Sequence, residues 1–393
     1  MNSRLVDPAP GAHLPVVPIL LLASLLLLVP AGGGAEALVP LPPQPAKIAW
    51  PSVAWPETEL APNVDSDALA AAVETIFETQ PVGGLPDTRA VLIVQGGEIV
   101  FERYAKGFGP ESRFHSWSMA KSFVQCLVAL LVREGRLEVD APAPVPTWSE
   151  ADDPRHRLSL RHLLNMTTGL DNADGGSDPQ AFVGQLLFGP NAQDMAGHAA
   201  NVRFLHDPGT HWTYSTGTSA ILGGIVSRIT GPSREATRAW MEKELLDPLG
   251  IKSLVAESDS RDQLVGGSHV WATARDWARL GLLYLRGGEW DGQRILPAGW
   301  VDFTRTRAPA DNNGTYGAHF WLNLPAREKQ FDPLPGGPAS AFQMSGNGGQ
   351  YVAMVPERDL MVLRLGEMMA TDWPSMGRQM AALIAAFPTP AAP

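Results

Sequence analysis

The stretch that most restricts how this chain can fold is Phe114-His115-Ser116-Trp117-Ser118-Met119-Ala120-Lys121, the start of a helix that runs almost wholly apolar to Val132 and stops at Gly135. Phe123, Cys126, Leu127, Leu130 and Leu131 recur at helical spacing and would bury the lysine that opens the helix. Ser118 and Lys121 stand three apart, on one helix face and one turn from each other. A serine hydroxyl is a weak nucleophile until a base takes its proton, and a lysine serves as that base only when burial lowers its pKa. The helix N-terminus adds free backbone N–H groups and a positive dipole end for an oxyanion formed at the serine. Of Lys47, Lys106, Lys121, Lys243, Lys252 and Lys329, only Lys121 has a serine three residues before it. The pattern suits acyl transfer.

The flanking text predicts an α+β fold. Asp65 to Glu78 fits an amphipathic helix, with Leu69, Val73 and Phe77 four apart after an acidic start. Ala90 to Val94 and Ile99 to Tyr104 read as strands joined through Gln95-Gly96-Gly97-Glu98. From Glu138 to about Trp300 the clearest helices are Leu158 to Met166, Ser219 to Thr230, Ser233 to Leu246 and Ala274 to Leu285. Strand character returns at Tyr351 to Val355 and Leu360 to Leu365 around Pro356-Glu357-Arg358-Asp359, and Ser375 to Ala386 closes the chain as a helix. Strands at both ends with helices between them predict one antiparallel sheet built from both chain ends, packed by helices, with a helical insertion.

The N-terminus has Arg4, an apolar run from Leu14 to Val29, and small residues ending in Ala35-Glu36-Ala37, the order of a secretory signal cleaved after Ala37. Residues 1–37 are therefore expected to be a signal peptide and the protein periplasmic or secreted. The alternative is a membrane anchor formed by residues 14–30, the one route by which a membrane enters the picture. Residues 38–64 are rich in proline and read as a linker or as an extended arm lying on the domain, leaving 65–388 as the catalytic domain. The net charge of −11 argues against nucleic acid as a partner. A lone cysteine, Cys126, rules out an internal disulfide, and His156 with His162 and His206 with His211 lack an acidic partner at helix spacing, so neither a metal nor an organic cofactor is expected.

Two further stretches bear on the serine. His211-Trp212-Thr213-Tyr214-Ser215-Thr216 places a tyrosine in a short loop, where it can share a proton with a lysine and have its own pKa lowered by the ammonium. Met344-Ser345-Gly346-Asn347-Gly348-Gly349-Gln350 precedes the last hairpin, and its glycines let a strand edge approach a substrate closely.

Together and in this order, the three stretches resemble the penicillin-recognising serine hydrolases: class C β-lactamases, DD-peptidases and their esterase and amidase relatives, with a Ser-x-x-Lys helix, a Tyr-x-Asn loop and a Lys-Thr-Gly strand. Leu163-Leu164-Asn165-Met166-Thr167-Thr168-Gly169-Leu170, Asp247-Pro248-Leu249-Gly250 and Ala272-Thr273-Ala274-Arg275-Asp276 add to the likeness. The resemblance implies that fold, with Ser118 as nucleophile, Lys121 as proton acceptor, Tyr214 as the acid or base at the leaving group, and the backbone N–H groups of Ser118 and Asn347 as oxyanion hole. Whether Lys121 or Tyr214 acts first stays open. Thr216 stands where the family has its loop asparagine and Met344 where it has its strand lysine, so the cation that holds a substrate carboxylate is missing unless Arg203 or Arg275 supplies one. Gly346-Asn347-Gly348-Gly349-Gln350 resembles the branch of 6-aminohexanoate-dimer hydrolase and the family esterases. Trp271, Thr216, Met344, Gly346 and Gly348 are then the expected substrate-lining residues, with a core role as the alternative for Trp271. The resemblance implies a serine hydrolase for a small ester or amide. A β-lactamase or DD-carboxypeptidase, and a non-catalytic protein binding cell-wall peptides, are the alternatives.

Overall fold

Two strands from the first third of the chain, β1 (Thr88–Gln95) and β2 (Glu98–Tyr104), join four from its last fifth, β3 (Trp321–Leu322), β4 (Phe342–Gly346), β5 (Gln350–Val355) and β6 (Leu360–Gly366). The sheet is antiparallel and ordered β2-β1-β6-β5-β4-β3. The two chain ends meet where β1 pairs with β6, Thr88 opposite Gly366 and Gln95 opposite Leu360. This computed structural model describes residues 37–78, 87–150, 152–176, 178–311, 314–325, 332–368 and 372–389. Of the expected signal segment 1–37, all but Ala37 lies outside them. Among the described residues no helix is long and apolar enough to cross a membrane.

The β1 run is apolar on both sides because both faces of the sheet are covered. Side chains alternate along a strand. Val91 and Ile93 therefore enter one core with Leu69, Val73 and Ile76 of α1 (Ser66–Phe77), while Leu92 and Val94 enter another that contains α2 (Met119–Arg133). Asp65 caps α1 by accepting from Ala68 N at 2.9 Å. The insertion follows the expected order with shifted ends. The Leu158 to Met166 run is helical only over Leu160–Leu164, because Met166 adopts φ 58°. Helix α3 begins at Thr216, three residues early, since Ser215 caps it by accepting from Thr218 N at 3.0 Å, and it runs to Thr230. The Ser233 run is α-helical to Met241 and ends in a wider turn over Glu242–Leu246. Helix α4 (Ala274–Leu285) and α5 (Trp373–Ala385) stand close to the expected bounds.

Of the two readings of the proline-rich stretch, the structure shows the packed arm and not a spacer. Thr58 N donates to Ile99 O at 3.0 Å and Ile99 N to Pro56 O at 2.9 Å, which covers the outer edge of β2. Trp50 packs on Trp290 with ring centroids 5.0 Å apart, and Trp55 Nε1 donates to the Arg275 carbonyl at 3.1 Å. Arm carbonyls also accept from buried guanidinium groups, Pro51 from Arg279 at 2.8 Å and Val39 from Arg305 at 2.5 Å.

Candidate active site

The nucleophile helix starts from a clamped corner. Ser116 N donates to Val270 O at 2.8 Å and Ser116 Oγ accepts from Val270 N at 3.1 Å. Trp117 turns the chain with φ 46°, a region that non-glycine residues rarely enter, and so delivers Ser118 to the N-cap of α2. The Ser118 hydroxyl makes no capping bond there and faces a cavity of about 980 Å³. Across the site, Gly346 leaves β4 so close to this corner that an added Cβ would fall 2.2 Å from Ser116 O and 3.1 Å from Ser118 N. Only glycine fits. The contact brings Asn347 next to the nucleophile, and both Ser118 and Asn347 line the cavity.

Lys121 is 1 % exposed. Its Nζ lies 3.1 Å from Ser118 Oγ, 2.8 Å from Thr216 Oγ1 and 3.1 Å from Gly267 O. Burial lowers its pKa to about 8, against the opposing pull of the Asp174 charge. Tyr214 is held by its neighbours on both sides, with Thr213 N donating to Met166 O at 2.9 Å and Ser215 Oγ to Asn172 O at 2.7 Å. Its ring stacks on Trp321 at 5.3 Å and meets Tyr316 edge-on at 5.7 Å. Lys121 Nζ sits 4.9 Å from the ring centroid. The expectation of a lowered phenol pKa does not hold: burial, then the Asp174 charge, push it well above its ordinary value, and only the contact with the Ser118 hydroxyl pulls it down. Tyr214 is therefore a neutral phenol, a proton donor, at every pH near 7.

Six of the residues expected from sequence, Ser118, Lys121, Tyr214, Thr216, Gly346 and Asn347, meet at this cavity. Three do not. Along β4 the side chains alternate, so Gln343 and Ser345 face the cavity while Met344 points into the core and is 0 % exposed. Gly348 turns away with φ 71°, and its carbonyl accepts from Arg364 Nη1 at 2.7 Å. Trp271 is neither a lining residue nor fully buried: it stacks on His115 at 4.6 Å and donates from Nε1 to Glu257 Oε1 at 2.7 Å. The two arginines considered as substitute cations are engaged elsewhere, Arg203 with Asp171 at 3.1 Å and Arg275 with Glu57 and Glu102 at 2.9 and 2.5 Å. Among the described lining residues there is no lysine or arginine, whereas Asp174 and Asp178 are both present.

Sequence reasoning missed four residues here. Asp174 accepts from Thr216 N at 2.5 Å through Oδ1 and from Thr216 Oγ1 at 2.8 Å through Oδ2. An acidic residue opening the glycine pair Gly175-Gly176, four residues after Leu170 of the Thr168-Gly169-Leu170 phrase, was the available signal. Ser268 Oγ, Gln343 Oε1 and Ser345 Oγ are buried against the cavity without a hydrogen-bond partner, and buried polar atoms in that state are the ones a bound molecule can satisfy. Nothing in their local sequence marks them.

A serine-lysine-tyrosine cluster under the edge of an antiparallel sheet built from both chain ends defines the class, and comparison with known proteins agrees. The Beta-lactamase family model matches residues 85–385, and the chain belongs to that family. It is 29 % identical over 261 residues to the 6-aminohexanoate-dimer hydrolase of Paenarthrobacter ureafaciens, a match that spans 63 % of this chain and 64 % of the relative. It is 26 % identical over 213 residues to a D-aminopeptidase of Brucella anthropi, spanning 50 % of this chain and 38 % of that protein. In fold it is similar to a class C β-lactamase from Rhodobacter sphaeroides, with a TM-score of 0.56, 21 % identity, and coverage of 81 % of this chain and 99 % of the other.

Proposed function

We propose that this protein is a serine hydrolase that cleaves a small ester or amide, with no carboxylate beside the scissile bond, through an acyl-enzyme on Ser118. The observation that carries the reading is the buried Lys121 amine 3.1 Å from Ser118 Oγ, with its pKa drawn down to about 8. At pH 7 a fraction on the order of one in ten is free amine, enough to serve as a base.

The reaction follows from the groups present. The Lys121 lone pair takes the Ser118 proton as Oγ bonds to the substrate carbonyl carbon, and the carbonyl π pair moves onto oxygen. That oxygen is received by the N–H groups of Ser118 and Asn347. When the tetrahedral adduct collapses, the carbon–oxygen or carbon–nitrogen bond breaks. The leaving group takes its proton through the Tyr214 hydroxyl, which gives one proton and receives one from the Lys121 ammonium. Water then repeats the sequence in reverse, releasing the acid and restoring Ser118.

The charge of the cavity supports the substrate limit. With Met344 in the core and Asp174 and Asp178 on the wall, a carboxylate entering the site meets like charge and, among the described lining residues, no lysine or arginine; the one nearby ammonium, Lys121, is buried behind Ser118 and already bonded to Thr216 and Gly267, so an unpaired carboxylate costs several kcal/mol. The names of the relatives, an aminohexanoate-dimer hydrolase and a D-aminopeptidase, are those of enzymes for amide bonds. The test pairs intact mass after a fluorophosphonate probe with turnover of p-nitrophenyl butyrate and nitrocefin. One adduct, absent in Ser118→Ala, with preference for the ester is expected. No adduct with that probe or with a β-lactam would make the protein a binding protein, and nitrocefin hydrolysis at about 10⁴ M⁻¹s⁻¹ or faster would make it a β-lactamase.

A further inference from the structure

The polarity of the hydrogen bonds around Lys121 is fixed from outside the catalytic cluster. Gly267 contributes a carbonyl, which only accepts, at 3.1 Å from Nζ. Thr216 contributes a hydroxyl, which has one proton to give and lone pairs to accept with, at 2.8 Å. That one proton is already committed, because Asp174 Oδ2 lies 2.8 Å from Thr216 Oγ1 and a carboxylate can only accept. Thr216 Oγ1 is left as an acceptor toward Lys121. A free amine has two protons and one lone pair. With one proton directed to Thr216 Oγ1 and the other to Gly267 O, the lone pair is what remains for Ser118 Oγ at 3.1 Å.

We propose that Asp174 is a positioning residue for acylation: by claiming the Thr216 hydroxyl proton, it turns the lone pair of the Lys121 amine onto Ser118. The proposal rests on the reading above in which Lys121 is the base. Asp174 is well placed for a fixed role because its second oxygen accepts from Thr216 N at 2.5 Å, so both oxygens are held by one residue. Its own backbone is tied in as well, Val183 N donating to Asp174 O at 3.3 Å.

The geometry also says what a neutral substitute does. In Asp174→Asn the Thr216 backbone N–H still needs an acceptor and takes the amide oxygen, which leaves the amide N–H₂ facing Thr216 Oγ1. The hydroxyl then accepts from the amide, and its own proton turns toward Lys121, where it competes with Ser118 for the lone pair. Removing the carboxylate also removes the charge that raises the Lys121 pKa, so the base titrates at lower pH while working less well. The other ionisable groups near Lys121 are Tyr214, a neutral phenol, and His319, whose pKa burial lowers to about 3 and which is therefore neutral as well. Neither changes charge in the range measured.

The experiment reads the nucleophilicity of Ser118 directly, as the second-order rate of its phosphonylation by a fluorophosphonate followed by intact mass from pH 6 to 9.5, in the full chain. Asp174→Asn should lower the plateau rate by about tenfold or more and move the acid limb to lower pH, a combination that loosened packing does not produce. In a Thr216→Val background the same substitution should cost less than about twofold further, because its route through the hydroxyl is gone. Thr216→Ser, which keeps the hydroxyl, should restore most of the rate lost in Thr216→Val. An unchanged plateau in Asp174→Asn, or its full loss repeated in the Thr216→Val background, overturns the proposal while leaving the hydrolase reading intact. If Lys121→Ala is phosphonylated as fast as wild type, both fall together. If Asp174→Asn does not fold, the Thr216 pair decides: equal rates for the valine and serine variants overturn the proposal.

Discussion

Met344→Lys tests whether the strand that lacks the family's lysine can be given one. Sequence position alone makes this the substitution that restores a cation for a substrate carboxylate. The structure makes it a core mutation, because Met344 is 0 % exposed and packs in the cluster that holds Val352 and α2. An amine in that apolar cluster is desolvated and stays neutral. Holding it neutral at pH 7, against an ordinary pKa of about 10.4, costs about 1.36 kcal/mol per pH unit, or about 4.6 kcal/mol. For a chain of this size that is a fall in Tm of about 10 °C or more. The pH dependence carries the signature. Between the depressed folded pKa and the ordinary unfolded one, the unfolded chain binds the extra proton, so stability rises with pH. The deficit relative to wild type should shrink by about 2.7 kcal/mol between pH 7 and 9, read by urea denaturation at each pH. Gln343→Lys, one residue earlier on the cavity face, is the contrast: it should raise kcat/KM for nitrocefin by about tenfold or more through charge pairing. If Met344→Lys keeps the wild-type Tm and is the variant that gains nitrocefin hydrolysis, the facing of β4 described above is wrong.

Ser118→Ala, Lys121→Ala and Tyr214→Phe should each lower kcat for p-nitrophenyl butyrate about a thousandfold or more, without adding in combination, because they serve one transfer; near-normal turnover in Ser118→Ala would refute the mechanism. The kcat/KM of wild type should rise with pH through about 8 as Lys121 loses its proton, and a rate flat from pH 6 to 9 would remove Lys121 from the role of base. Trp271→Ala should leave the ranking among acyl chain lengths unchanged, since the ring stacks on His115 outside the cavity, whereas Trp321→Ala should change it; the reverse pattern in a p-nitrophenyl ester series would restore Trp271 to the pocket wall. Starting the chain at Glu57 instead of Ala37 should lower Tm by several degrees, as Arg279 and Arg305 lose acceptors while buried, and an unchanged melting curve would show that the arm does not contribute.

The features legible in sequence are those with a local cause. Period and caps gave α1 and α4 nearly to the residue, and the paired glycines at Gly96 and Gly97 marked a turn that takes φ 60° and 85°. Ser118, Lys121 and Tyr214 were legible because their spacing and neighbours belong to a family pattern. Features set by distant contacts were not. Nothing near Met344 tells that its side of the strand faces α2, since a run of Phe, Gln, Met, Ser and Gly has no clean alternation. Asp174 touches Thr216 across 42 residues of sequence, and only the folded loops bring the two together. The arm reads as a linker because proline recurs along it and it has neither a helical nor a strand period, while its anchor points on Arg279, Arg286 and Arg305 lie more than two hundred residues away.

The pairing of β1 with β6 decides when this molecule can become itself. Synthesis delivers β1 early, yet its partner Leu360–Gly366 is among the last segments made, and the arm waits as long for Arg279 and Arg305. Closing loops of that span is slow, and until it happens the strand Val91–Val94 presents an unpaired, fully apolar edge. A growing chain therefore has no stopping point at which half of it is finished, and a ribosome that stalls before Leu360 leaves a product for proteases and holdase chaperones.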